Sequence, residues 1–112
     1  MFEFGSIVLA RFPFTDLSGQ KLRPALIISR DNGRRPDVVL AFITSRSLNA
    51  NPDTLELAPS KENGLKVASV IRFDKLATLE KSIIVGKSGD AEPAFLKKAG
   101  PVFFGVFGFG PR

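Results

Sequence analysis

The chain has no histidine, cysteine, tryptophan or tyrosine, and only one methionine. Each absence closes a route. Without His there is no side chain that titrates near neutrality unperturbed, so the commonest proton shuttle is missing. Without Cys there is no thiolate nucleophile, no thiolate metal ligand and no disulfide framework, which is compatible with a reducing cytoplasm. Long apolar runs are missing too, and the longest are far too short to span a bilayer. The start, Met1-Phe2-Glu3-Phe4, carries an acid where a secretory leader carries Lys or Arg. Neither export nor a membrane span is expected, and the expected location is the cytoplasm. Any chemistry must run on Arg, Lys, Thr, Ser or carboxylates.

What is present is ordinary in bulk and uneven in charge. At 112 residues the chain makes one domain, with roughly two-thirds of its unfolded surface available for burial. Apolar residues at 44% and charged residues at 24% match globular usage, which excludes wholesale disorder and fibrous architectures. Sixteen Lys and Arg against eleven Asp and Glu leave a net charge of +5, which favours a polyanionic partner through long-range attraction and counterion release. Nucleic acid and an acidic peptide both qualify, and a charge of this size also serves plain solubility.

Residues 6–10, 25–28, 38–43 and 82–85 are short runs rich in β-branched residues, bounded by Gly, Pro, Asp or Asn. Residues 53–57 alternate polar and apolar, and 67–73 form a β-rich run broken only by Arg72. About six strands at this spacing predict a small barrel or sandwich. Turns are marked at 15–21, 31–33, 49–52 and 62–64. One short helix is predicted after them, with Asp90 as N-cap, Pro93 in the first turn, Lys97 and Lys98 near the end, and Gly100-Pro101 as the stop. The Phe/Gly-rich tail, 102–110, has neither a helical nor an alternating period; it is open to roles as an edge strand, a cover for the barrel or a subunit contact.

Arg23-Pro24 heads the run 25–28. Pro24 disfavours the α region for the residue before it and has no N–H to donate, so Arg23 should be extended, at a strand start or edge. That places a permanent cation where it can face a phosphate. An isolated Arg-Pro would more simply be an ion pair, here with Asp16 or Asp31.

Three pieces stand together: the loop 12–21, Arg23-Pro24, and Ile43-Thr44-Ser45-Arg46 at the end of a buried run. They resemble the MazF/PemK-like family of toxin endoribonucleases, and the match runs from the first strand to about residue 79. The resemblance implies a mainly β chain with a C-terminal helix, folded as an SH3-like small barrel of the CcdB/MazF/PemK-like type. It also implies a two-fold homodimer, a single-stranded RNA substrate cut without a metal, and an acidic antitoxin protein as partner. Arg23 and Thr44 correspond to the catalytic pair. Around them Thr15, Asp16, Lys21, Ser45, Arg46 and Arg72 are candidates for holding RNA, with Asp16 the loop carboxylate to consider as a base, and Phe12 and Phe14 are candidates for base stacking. Packing inward is the simpler role for the two phenylalanines. Arg72 interrupts a β-rich run and should therefore have a partner. The rival expectations are a CcdB-like inhibitor of a protein target and a plain RNA-binding domain on the same fold.

Overall fold

The β-branched runs become strands because both of their faces find apolar neighbours. In the computed structural model, which describes residues 3–12, 21–31, 33–45 and 51–109, with the backbone alone for Phe12 and Lys21, six strands form one antiparallel sheet. They are β1 (Ser6–Phe12), β2 (Lys21–Ile27), β3 (Asp37–Thr44), β4 (Thr54–Leu57), β5 (Ser69–Glu80) and β6 (Ile84–Asp90), in the order β4-β5-β3-β2-β1-β6. This is the expected small barrel of mainly β structure, left open between β4 and β6. One α-helix, α1 (Pro93–Phe107), follows β6.

Two apolar clusters sit on opposite faces of the sheet, as period-two alternation requires. Ile7, Leu26, Ala41, Ile43, Ile71 and Phe73 pack under Phe95 and Ala99 of α1. Val8, Ala10, Ala25, Ile27, Val38 and Leu40 form the other cluster, with Phe42, Leu79 and Ile84 against it. Burial on both sides explains why the runs in β2 and β3 read as continuous rather than alternating.

β5 is longer than the run 67–73 predicts. Its register with β3 jumps between Ala41↔Leu76 and Phe42↔Arg72, so residues 73–75 form an irregularity that bends the strand. The bend lets Ile71 and Phe73 serve one cluster while Ala77 and Leu79 serve the other. The expected strand at 82–85 begins only at Ile84, because Lys81–Ile83 form a turn of 3₁₀-helix.

The helix differs from expectation at both ends. Asp90 is the last residue of β6 and its carboxylate pairs with Lys87 at 3.0 Å, so α1 starts later, with Glu92 at the cap position and Pro93 first in the helix. Gly100-Pro101 does not stop it, and the tail is helical to Phe107, where Gly108 at φ +71° ends it. Pro101 leaves the Lys97 carbonyl without its helical N–H, a cost of about 3 kcal/mol. Gly100, lacking Cβ, removes part of the clash with the proline ring. Packing of Val102, Phe103 and Val106 against the α1-side cluster offsets the rest. The tail therefore covers the sheet, leaving Phe104 and Phe107 exposed.

The turn at 62–64 holds a buried polar hub that its turn-forming residues do not announce. Asn63 is fully buried; its Oδ1 accepts from the N–H groups of Ser60 and Leu65, and its Nδ2 donates to Ala58 O and Glu92 Oε1. Gly64, at φ +69°, and Gly89 let this turn lie directly on the β6 backbone, since a Cβ at either would strike main-chain atoms across the contact. The start of α1 is thereby tied to the loop after β4.

Candidate active site

Arg23 and Thr44 lie near the same end of adjacent strands. β2 and β3 pair over Ala25↔Phe42, Leu26↔Ala41 and Ile27↔Leu40. The ladder between β2 and β3 stops just before Pro24, which has no N–H to give it, although β2 continues to Lys21 against β1. Carried two residues further, the same register brings Arg23 level with Thr44. By alternation Arg23 shares a face with Ala25 and Ile27, and Thr44 with Phe42 and Leu40, so both project on the face opposite α1. Both are half-buried.

Cross-strand pairing extends this face toward the sheet edge. Thr44 pairs with Val70 and Val70 with Glu56. One step along, Val8, Ala25, Phe42, Arg72 and Thr54 form the adjacent row across five strands. Residues directly opposite share a face, so Arg23, Thr44, Arg72 and Glu56 all belong to one surface. Glu56 has no role in the sequence reading, because only the register connects it to Thr44.

Arg72 has the partner its position demanded. Its Nε donates to Asp74 Oδ1 at 3.1 Å and its Nη2 to Oδ2 at 2.8 Å. The bidentate guanidinium holds the Asp74 carboxyl below its usual range, and the carboxylate raises Arg72 in turn. Asp31, one proposed partner for Arg23, is engaged elsewhere. It accepts from the Gly33 N–H at 2.8 Å and faces Lys81 at 3.6 Å, and these two contacts lower its pKa in that order. Among the described residues no carboxylate pairs with Arg23.

Ser45 follows Thr44 directly and is exposed. Lys21 opens β2 opposite Phe12, the last residue of β1, so both ends of the connection between these strands lie two pairs or fewer from Arg23. Phe14, Thr15, Asp16 and Arg46 lie outside the described residues. The arrangement brings together one cation free of any described carboxylate, one hydroxyl and a second, acid-paired cation on a single face. Such a set can hold a phosphodiester and stabilise added negative charge on it.

Among the described residues no helix is long and apolar enough to cross a membrane. No curated protein matches the sequence. Solved structures do match in fold. A mycobacterial endoribonuclease in complex with its cognate antitoxin superposes with a TM-score of 0.80 at 19% identity, covering 100% of this chain and 99% of that one. The Mycobacterium tuberculosis toxin MazF-mt6 gives 0.78 at 19% identity over 95% of this chain and 99% of its own. MazF in a MazE–MazF structure from Deinococcus radiodurans gives 0.73 at 22%, over 96% and 97%. At these identities the likeness speaks for the fold. The family follows from sequence: residues 3–100 match the model for the PemK-like, MazF-like toxins of type II toxin–antitoxin systems. The chain belongs to that toxin family.

Proposed function

We propose that the protein is a metal-independent, sequence-selective endoribonuclease, the toxin of a toxin–antitoxin pair, acting on single-stranded RNA. The observation that carries this reading is the placing of Arg23 and Thr44 at one end of β2 and β3, on one face, in a chain of this family. In the reaction the ribose 2′-oxygen attacks the adjacent phosphorus as the bond from phosphorus to the 5′-oxygen breaks. The 2′-OH proton leaves to a base and a proton reaches the 5′-oxygen, giving a 2′,3′-cyclic phosphate and a 5′-hydroxyl. Arg23 stays protonated at any working pH, so its part is to stabilise the phosphorane charge and to donate toward the leaving oxygen. Thr44 holds a phosphate oxygen or the 2′-OH through its hydroxyl, with Ser45 beside it.

The net charge of +5 suits both RNA and an acidic antitoxin. The endoribonuclease and MazF relatives seen with their antitoxins support such a partner. A homodimer is part of the same reading, and Phe4 and Phe104, more than half exposed along one groove, support a subunit contact. The test is to incubate purified protein with a long single-stranded RNA in EDTA. Defined fragments from the wild type and intact RNA from Arg23→Ala are expected. Intact RNA from both, with growth arrest traced to failed DNA topology, would turn the assignment to a CcdB-like inhibitor.

A further inference from the structure

Thr44, Val70 and Glu56 form one cross-strand row on β3, β5 and β4, and the row points away from Arg23 toward the sheet edge. Neighbouring strands lie about 4.8 Å apart, so Glu56 is about 10 Å from Thr44 along it. That is beyond contact with a phosphate held by Arg23 and Thr44, and within the span of a neighbouring nucleotide whose base is splayed out.

A cavity of about 590 Å³ opens beside Glu56. Thr54, Glu56 and Val70 line it from the strands, and Phe95 and Lys98 from α1, with Glu92 at its cap. Leu55 and Leu57 line the cavity on the α1 side and Glu56 on the face that carries Arg23 and Thr44, so the cavity wraps the edge strand β4 and meets that face at Glu56 and Val70. Its volume is that of a small-molecule site with apolar walls and a few polar groups. The Phe73 N–H donates to Asp53 O, which sets residues 53, 55 and 57 toward β5 and turns the main-chain N–H and C=O of Glu56 outward. Among the described residues nothing pairs with the Glu56 side chain, which is exposed.

A carboxylate on a nucleic-acid face repels phosphate and selects N–H donors. Its two oxygens match two adjacent, parallel N–H groups, and of the four RNA bases guanine alone offers these, N1–H and N2–H on its Watson–Crick edge. We propose that this cavity takes the guanine base of a nucleotide next to the scissile bond, with the Glu56 carboxylate accepting from N1–H and N2–H. The assignment rests on the ribonuclease reading for its place in the reaction, and binding tests it separately.

The probes are non-cleavable 2′-O-methyl oligonucleotides carrying guanine, inosine or adenine at each position in turn. Inosine keeps N1–H and lacks the N2 amino group. Wild-type protein should bind the guanine oligonucleotide on the order of tenfold tighter than the adenine one at a single position, with inosine between. Glu56→Gln should bind guanine and inosine alike there and keep its affinity for the adenine oligonucleotide. Equal binding of guanine and inosine by the wild type at every position, or an undiminished guanine preference in Glu56→Gln, overturns the proposal. Guanine discrimination without cleavage of all-ribose RNA would sustain the base site and refute the nuclease reading; cleavage whose guanine preference survives Glu56→Gln would do the reverse.

Discussion

Arg72, in the row adjacent to Thr44, holds the Asp74 carboxylate in a bidentate contact, 2.8 Å at its shorter arm. The acid occupies the fork that a phosphate would need. Asp74→Asn should free the guanidinium. RNA affinity should rise and the slope of log affinity on log salt should steepen by about one contact. Binding measured over a salt series checks this, and an unchanged slope would remove Arg72 from the RNA path. Because both partners are partly exposed, the same change should cost less than about 1 kcal/mol of stability.

Acid should weaken the fold through Asp31 and Asp74. Each has a folded pKa below the usual 3.8, so each contributes stability that is fully present above the unfolded value and is lost as pH falls through the folded one. Carboxyl titration by NMR should find both midpoints depressed. Asp31→Asn and Asp74→Asn should each flatten the acid limb of the unfolding curve, and a limb that keeps its steepness in the double variant would contradict the ion-pair account.

Replacing Pro101 restores an N–H to the middle of α1. Pro101→Ala should raise stability by about 1–3 kcal/mol, since the helix already runs through the position and the backbone bond to Lys97 becomes available. Thermal unfolding reads the change. A lower melting temperature would mean that a proline-induced bend is required to seat Phe103 and Val106.

Asn63→Ala strips a fully buried hub of its side-chain bonds and leaves the Ser60 and Leu65 N–H groups without their acceptor. A loss of about 2–4 kcal/mol is expected in denaturant unfolding. A loss below about 1 kcal/mol would show that water replaces the side chain at no great cost.

Much of this was readable in the residues. The runs at 25–28 and 38–43 announced strands because both faces of β2 and β3 are buried. Arg23-Pro24, by contrast, suggested a strand start or edge and instead lies inside β2, which begins at Lys21 and pairs with β1 through the proline while its ladder with β3 stops there. The end of α1 was not readable: locally Gly100-Pro101 is a stop, and only packing of Val102, Phe103 and Val106 on the sheet carries the helix past it. The second half of β5 was hidden by Asp74 and Lys75, a polar break that the fold uses as a bend. Glu56 and Asn63 look like ordinary surface and turn residues until register and burial place them. Arg23 and Thr44 came from the family pattern, and the geometry that joins them is long-range pairing that no local signal encodes.

The claim on which the rest depends is tested most directly by mapping the ends of a defined RNA after incubation in EDTA with wild type, Arg23→Ala and Thr44→Val. Ends carrying 2′,3′-cyclic phosphate and 5′-hydroxyl at discrete sites are expected, with the rate falling on the order of a hundred- to a thousand-fold in Arg23→Ala. Fragments with 5′-phosphate ends, or equal cutting by all three proteins, would contradict it.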